Sequence, residues 1–379
     1  MPSRLGNPST PLPTPVNLDQ AAGHAVKEIY LKKYEELSRR FPYNPHGLTC
    51  YAEECRRALN LAKRTIMRLA GASETDTALV WCANGTEALN LALRGFPFDS
   101  PDDLLAIDLG GHHALTETAR ALPQHRHDFL LDDGGAINSP LPAETRLTAI
   151  SLVNNETGVI WNGDRTRLPK NTRLLVDACQ AFGKTPIPWE EAHIDLLVLS
   201  SRKLGGPATG ACLLYRRDLR LNPLLTGGGQ QQGLLSGTLD TVSCMLFADA
   251  AEDACANATS ALAHVTALNR RLREGLRCLG NGTWPLFSPE DASPYILYFA
   301  IPGYQGALVA RLLAADHHIL VGTGSACTAE SGATSALLQA KGIPDDLARS
   351  AIRVSFAPEN TIDDVNRFLQ ALPQVLKNY

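Results

Sequence analysis

Two residues in this chain stand where charge is hard to explain by packing. Lys203 comes just after the apolar run from Asp195 to Leu199 and is followed by Leu204-Gly205-Gly206-Pro207. Asp177 closes the apolar run Leu174-Leu175-Val176. A lysine amine condenses with a carbonyl, and a carboxylate holds a heteroaromatic nitrogen protonated so that its ring draws electrons. Upstream, Asn84-Gly85-Thr86 follows the strand-like stretch from Thr77 to Cys82 and opens a helical stretch from Glu87 to Leu93. A strand, small residues and a helix start aim unpaired N–H groups and a positive dipole end at an anion. Ser200 and Arg202 can add a hydroxyl and a guanidinium to the same seat.

A lysine, an acid, the imidazole of His112 and hydroxyl donors at the ends of strands suit pyridoxal phosphate, with the lysine as its Schiff-base partner. Each residue also has a plainer reading. Asp177 caps a helix as readily as it binds a ring nitrogen. His112 beside His113 reads equally as a packed or surface imidazole. Asn154-Asn155 are good turn formers, and Gly227-Gly228-Gly229 is a common kind of loop.

The elements that must position these residues alternate. An amphipathic helix runs from Glu53 to Ala70, with Leu59, Ala62, Ile66, Leu69 and Ala70 on one face and Gly71 as its cap. Apolar strands at Leu104–Leu109, Leu147–Val153 and Leu174–Val176 each run into a polar cluster. This is the pattern of a mostly parallel sheet covered by helices, whose ligands bind beyond the carboxyl ends of the strands. A hairpin-like Ala211–Tyr215 precedes the glycine loop. Helical spacing then returns at Ala261, Val265, Leu268, Leu272, Leu276 and Leu279. Beyond it the rhythm changes to a strand at Tyr295–Ile301, a helix at Ala307–Ala315, and strands at His318–Val321 and Ala351–Phe356. The closing helix begins at Thr361 with a capping-box start and stacks Val365, Phe368, Leu369 and Leu372 before Pro373. The expected division is a large domain over 16–257 and a small α/β domain over 258–379, with residues 1–15 packing on the latter.

The 379 residues carry 35 Lys and Arg against 39 Asp and Glu, a net charge of −4 with no basic stripe, so neither nucleic acid nor a membrane surface is expected as partner. The nine cysteines form no Cys-x-x-Cys pair and no zinc spacing; a reducing compartment and no metal are expected. The first fifteen residues hold five prolines and no apolar core of a signal peptide, so the chain is read as cytoplasmic.

Taken in order, these motifs resemble the cysteine desulfurases, within the class V aminotransferase family of pyridoxal-phosphate enzymes, over roughly residues 17–368. The resemblance rests on Asn44-Pro45-His46, Gly85-Thr86-Glu87, His112 with Ala114-Leu115, Val153-Asn154-Asn155-Glu156-Thr157-Gly158 and Asp177-Ala178-Cys179-Gln180 with Gly183-Lys184. It continues through Ser200, Lys203 and Gly206-Pro207, Gly227-Gly228-Gly229-Gln230 with Ser236-Gly237-Thr238, Gly324-Ser325-Ala326-Cys327-Thr328, and Ile352-Arg353-Val354-Ser355.

The resemblance implies an α/β protein of pyridoxal-phosphate fold type I, with a large domain built on a mostly parallel seven-stranded sheet and a small C-terminal domain. It implies that Lys203 carries the cofactor, Asp177 meets the pyridine nitrogen, Gln180 the ring oxygen, and His112 stacks on the ring. Gly85, Thr86, Ser200 and Thr238 would hold the phosphate, with Thr238 reaching in from the other subunit of a homodimer. Asn155 and Arg353 would bind the substrate L-cysteine. Cys327, in a glycine-flanked loop suited to movement, would accept its sulfur as a persulfide and hand it to a protein or small molecule that the sequence does not identify.

The departures carry expectations too. Arg202 replaces the family's histidine before the lysine and Leu235 its arginine before Ser-Gly-Thr, so Arg202 is expected to grip the phosphate in place of both. The sequence ends at Tyr379 without the extension that housekeeping members present to a scaffold protein, which leads one to expect a specialised acceptor. The rival readings are a cystine or selenocysteine lyase, a true aminotransferase, and an inactive cofactor-fold scaffold.

Overall fold

A computed structural model of the chain describes residues 13–324 and 334–379. Its centre is a seven-stranded sheet assembled from β2 (Thr77–Cys82), β3 (Leu104–Asp108), β4 (His125–Phe129), β5 (Thr145–Ser151), β6 (Arg173–Asp177), β7 (Leu196–Ser200) and β8 (Ala211–Arg216), in the order β2-β8-β7-β6-β5-β3-β4. From β7 through β6, β5 and β3 to β4 the pairing is parallel, and β8 runs antiparallel to both of its neighbours. The hairpin-like segment is thus a strand inserted beside the lysine-bearing one. Strands β2, β5, β7 and β8 are almost wholly buried, as strands covered on both faces must be. Alternation divides them between two cores: Leu79 and Trp81 pack on one side, Ala78, Val80 and Cys82 on the other.

The helices of the large domain are α1 (Glu28–Arg40), α2 (Cys50–Leu69), α3 (Gly85–Arg94), α4 (His113–Arg120) and α5 (Thr241–Ala256). Several begin where the sequence supplies a cap. Thr49 accepts from Ala52 N at 3.2 Å, and Asn84 accepts from Glu87 N at 2.9 Å. Asn257 separates α5 from α6 (Ala258–Leu279).

The C-terminal part pairs β9 (Ile296–Ala300) antiparallel with β11 (Ala351–Ser355). Around them lie α7 (Gly306–His317), β10 (Ile319–Leu320), α8 (Ala336–Ala340), α9 (Asp345–Arg349) and α10 (Ile362–Lys377). The capping box at Thr361 and Asp364 is present. Helix α10 runs through Pro373 to Lys377. Its apolar face is held by burial of Phe368, Leu372 and Val375.

A short strand, β1 (Val16–Asn17), pairs parallel with β10 and carries the chain across from the small domain to the large one. Residues 19–24 follow it as a strap. Ala21 N donates to Ser355 Oγ at 2.9 Å, Gln20 N to Ser355 O at 3.4 Å, and His24 N to Arg202 O at 3.3 Å. These hydrogen bonds to β11 and to the turn after β7 fix its course.

Candidate active site

The carboxyl ends of the parallel strands converge on one cavity of about 180 Å³. Its walls include Gly85, Thr86, His112, Asp177, Ser200 and Lys203. Asp177 is the last residue of β6 and Ser200 the last of β7, so adjacent strands place them side by side. Asp177 is only 7% exposed, and its Oδ1 accepts from Cys179 N at 3.0 Å.

Lys203 lies in a single 3₁₀ turn, Ser201–Leu204, that ends at Gly205 with φ 75°. Only glycine takes that conformation without strain, which is why a glycine follows the lysine turn so closely. Lys203 Nζ donates to Ala21 O at 2.7 Å and Ala22 O at 2.9 Å, so the strap holds the amine over the cavity. Burial pushes the Lys203 pKa down to about 8, with Arg353 and Arg202 acting in the same direction. An amine with its pKa lowered this far gives up its proton more readily than an exposed lysine and so can serve as nucleophile and base.

His112 caps α4 with its own ring, Nδ1 accepting from Ala114 N at 3.0 Å. Burial lowers its pKa, which keeps the imidazole neutral and the Nδ1 lone pair on the amide. Gln180 Nε2 donates to Ala21 O at 3.0 Å, joining the lysine seat to the segment after β6.

The anion end of the cavity is built by α3. A Cβ added at Gly85 would stand 3.0 Å from Cys179 Sγ, so the close approach there requires glycine. Thr86, Ser200 and Arg202 border the same space as the positive end of the α3 dipole. The Arg202 guanidinium lies against Gly23: a Cβ at that position would come within 2.6 Å of its Nε. Leu235 is buried with the apolar cluster on the α3 side of the sheet. Thr238 is not in this cavity; it is exposed and borders a separate one with Trp81, Glu87 and Asp240.

A second cavity of about 200 Å³ adjoins the first and shares His112, Asn155, Gln180 and Lys203 with it. At its far end is Arg353, on β11 and 3% exposed. Arg353 Nη1 donates to Asn155 O and to Gly324 O, both at 2.7 Å, and Nη2 donates to Asp19 Oδ1 at 2.8 Å. Its Nε is buried and has no partner among the described residues. A guanidinium has five N–H donors, so Nε and one hydrogen of Nη2 remain, the pair that meets a carboxylate side-on. Asn155 takes part through its backbone oxygen; its side chain borders both cavities.

The donor set fits pyridoxal phosphate. It offers a near-neutral amine, a buried carboxylate on the neighbouring strand, a neutral imidazole and a helix N-terminus with hydroxyls and a guanidinium around a space closed to side chains at Gly85. Of the residues expected from sequence, Gly85, Thr86, His112, Asn155, Asp177, Gln180, Ser200, Arg202 and Lys203 meet at the inner cavity, and Arg353 reaches the outer one. Cys327 lies outside the described residues. Among those residues no group of three or more His, Cys, Asp or Glu side chains is arranged to hold a metal.

Sequence reasoning missed Asp19, the carbonyls of Ala21 and Ala22, and Glu156. Glu156 is buried, accepts from Ser335 Oγ, and has its pKa raised by burial. Only the Asn-Asn-Glu motif hinted at it. Cys179 was visible in the motif with Asp177 and Gln180, and it lines the cavity; burial raises its thiol pKa well above the ordinary value, so it is held as a neutral thiol.

Comparison with known proteins places this arrangement. The aminotransferase class-V family profile matches residues 16–368. A mitochondrial cysteine desulfurase from Candida maltosa is 30% identical over 375 residues, covering 94% of this chain and 76% of the relative. A cysteine desulfurase from Gluconacetobacter diazotrophicus is 31% identical over 372 residues, covering 95% and 90%. Among solved structures, a NifS-like protein superposes with a TM-score of 0.86 at 25% identity over 96% of this chain and 100% of its own. The apo cysteine desulfurase from Thermococcus onnurineus NA1 shares the fold, with a TM-score of 0.78 at 21% identity over 96% and 95%.

Proposed function

This chain belongs to the class-V aminotransferase family, and we propose that it works as a pyridoxal-phosphate-dependent cysteine desulfurase. The overall reaction turns L-cysteine and the Cys327 thiol into L-alanine and a Cys327 persulfide. The observation that carries the reading is the pair of adjoining cavities: Lys203 and Asp177 face one, Arg353 the other, and Lys203 borders both.

Lys203, Asp177, His112 and Gln180 would hold the cofactor's ring. Gly85, Thr86, Ser200 and Arg202 would hold its phosphate, joined by the partner subunit's Thr238. Bound there, pyridoxal phosphate supplies an electron sink for the bonds at the amino-acid Cα.

The remaining work belongs to side chains of the protein. Arg353 orients the amino acid by its carboxylate, with Asn155 beside it. Lys203, its pKa lowered to about 8 by burial, takes a proton at Nζ and returns it. His112, neutral and fixed through Nδ1, presents an uncharged ring face. The Cys327 thiolate attacks the substrate sulfur; the Cβ–S bond breaks, and its electron pair ends in the new C–H bond of alanine. The sulfur then passes from Cys327 to an acceptor.

We place the active protein as a cytoplasmic homodimer. Among the described residues no helix is long and apolar enough to cross a membrane, which is compatible with that setting. The test is incubation of the purified protein with L-cysteine and assay of alanine and protein persulfide in equal amounts. Pyruvate with ammonia as main products would move the protein to the lyases, and a keto acid formed only with an amino acceptor would make it an aminotransferase.

A further inference from the structure

Asp19 and Arg353 form an ion pair inside the site, 2.8 Å between Oδ1 and Nη2, with the arginine side chain 4% and the aspartate side chain 21% exposed. The residues lie at opposite ends of the chain, and the expected substrate role of Arg353 needs no such partner. Two functions are open to a carboxylate in that position: it orients the guanidinium, or it tunes its charge. The remaining contacts decide between them. Nη1 is already fixed by two 2.7 Å bonds to the backbone carbonyls of Asn155 and Gly324, so the plane of the fork is set without Asp19. Asp19 supplies the carboxylate in direct contact with the guanidinium that must receive the substrate, while Glu156, which borders the same cavity, is held by Ser335 Oγ.

We propose that Asp19 is a counter-ion built into the carboxylate subsite, which holds down the affinity of Arg353 for amino-acid carboxylates and so favours release of the product. This rests on the desulfurase reading for the identity of the ligand. With the site empty, Asp19 neutralises a buried arginine that would otherwise lack a charged contact on Nη2. When an amino acid binds, its carboxylate takes the remaining Nε and Nη2 hydrogens and comes to share one guanidinium with Asp19. Two carboxylates sharing one guanidinium repel each other. Binding is weaker than the geometry of the fork alone would give, for substrate and product alike.

Asp19 is placed for this by backbone contacts that do not depend on its carboxylate. Its neighbours are tied to β10 and β11 through Leu18 N to Leu320 O at 2.9 Å and Ala21 N to Ser355 Oγ at 2.9 Å. Gly322 makes room for it: a Cβ there would stand 2.7 Å from Asp19 Oδ1. Replacing the carboxylate by an amide therefore removes charge while leaving the strap in place.

The experiment measures, on the cofactor-loaded enzyme, dissociation constants by calorimetry for L-alanine and for ethylamine, which is alanine without its carboxylate. In Asp19→Asn the affinity for L-alanine rises by roughly tenfold or more, the scale of one relieved charge–charge repulsion at close range, while that for ethylamine is unchanged. Asp19→Ser is the second variant and behaves likewise. Unchanged or weaker L-alanine binding in soluble variants overturns the proposal, and so does an equal change for both ligands, which marks a general disturbance of the pocket. A wild type that does not distinguish L-alanine from ethylamine overturns it too. Because the readout is binding, absence of alanine formation from L-cysteine would sink the desulfurase reading without touching this result.

Discussion

The two ends of the site are built by different means. The cofactor end is made by neighbouring strands of one sheet: Asp177 and Ser200 end β6 and β7, and Lys203 follows Ser200 within a single turn. The carboxylate end gathers Asp19 from the strap, Asn155 from the turn after β5, Gly324 and Arg353, the two members of its ion pair standing 334 positions apart in the sequence. Where strand order alone brings groups together, their positions follow from local sequence. Where strap, loop and small domain must meet, position depends on how the domains pack, and single contacts such as Asp19 to Arg353 carry more of the outcome.

The comparison is broken most severely at its junction. Lys203→Ala should cut turnover by roughly 10²–10⁴-fold or more, since both the cofactor attachment and the base are lost. Cofactor should remain bound without a covalent link, so that borohydride treatment followed by mass spectrometry finds an adduct on wild type and none on the variant. A retained adduct would show that another amine is the partner.

Cys327→Ala tests the reaction class. Alanine release from L-cysteine and the persulfide should both fall to background while cofactor content stays at the wild-type level. Full alanine production by this variant would refute the role of Cys327.

At the carboxylate end, Arg353→Lys replaces a planar fork by a point charge. Loss of a charged hydrogen bond worth about 1.5–3 kcal/mol should raise KM for L-cysteine by roughly 10–150-fold with a smaller change in kcat. An equal fall in kcat alone would place Arg353 in the chemistry instead of the binding.

The acidity of Lys203 gives a pH test. Its pKa is lowered to about 8, burial being the main cause, so the amine loses its proton as pH rises through that value. Steps that need the neutral amine should speed up between about pH 7 and 9 and level off above, measured as kcat across that range. A profile flat through pH 8 would mean that proton transfer by Lys203 does not limit turnover.

The smallest effects sharpen the contrast at the phosphate. Arg202→Ala should weaken cofactor retention by about 1.5–3 kcal/mol, read from the dissociation constant in equilibrium dialysis. Gly23→Ala should do so less, by pushing the guanidinium that it would meet at 2.6 Å. Unchanged retention in both would show that Arg202 serves another contact.

Much of the cofactor end was legible because strand ends announce themselves. An apolar run followed by a polar residue puts that residue at the edge of the sheet, and Asp177 and Ser200 are found there. The start of α10 was readable from the capping box at Thr361, whereas α2 begins at Cys50 behind the cap of Thr49, three residues ahead of the start expected at Glu53. Pro373 in the body of α10 removes one helix hydrogen bond, and the burial of Phe368, Leu372 and Val375 along the same face outweighs that loss.

The sequence by itself determined the alternating architecture, the lysine and acid at their strand ends, and the glycines at 85 and 205, because each depends on residues near it in the chain. It did not contain the seat of Lys203 on the Ala21 and Ala22 carbonyls, since a backbone oxygen has no letter of its own. Nor did it reveal the pairing of Asp19 with Arg353. Only the tertiary structure decided those contacts, because they form where a strap held between β10 and β11 passes over the ends of a sheet in the other domain.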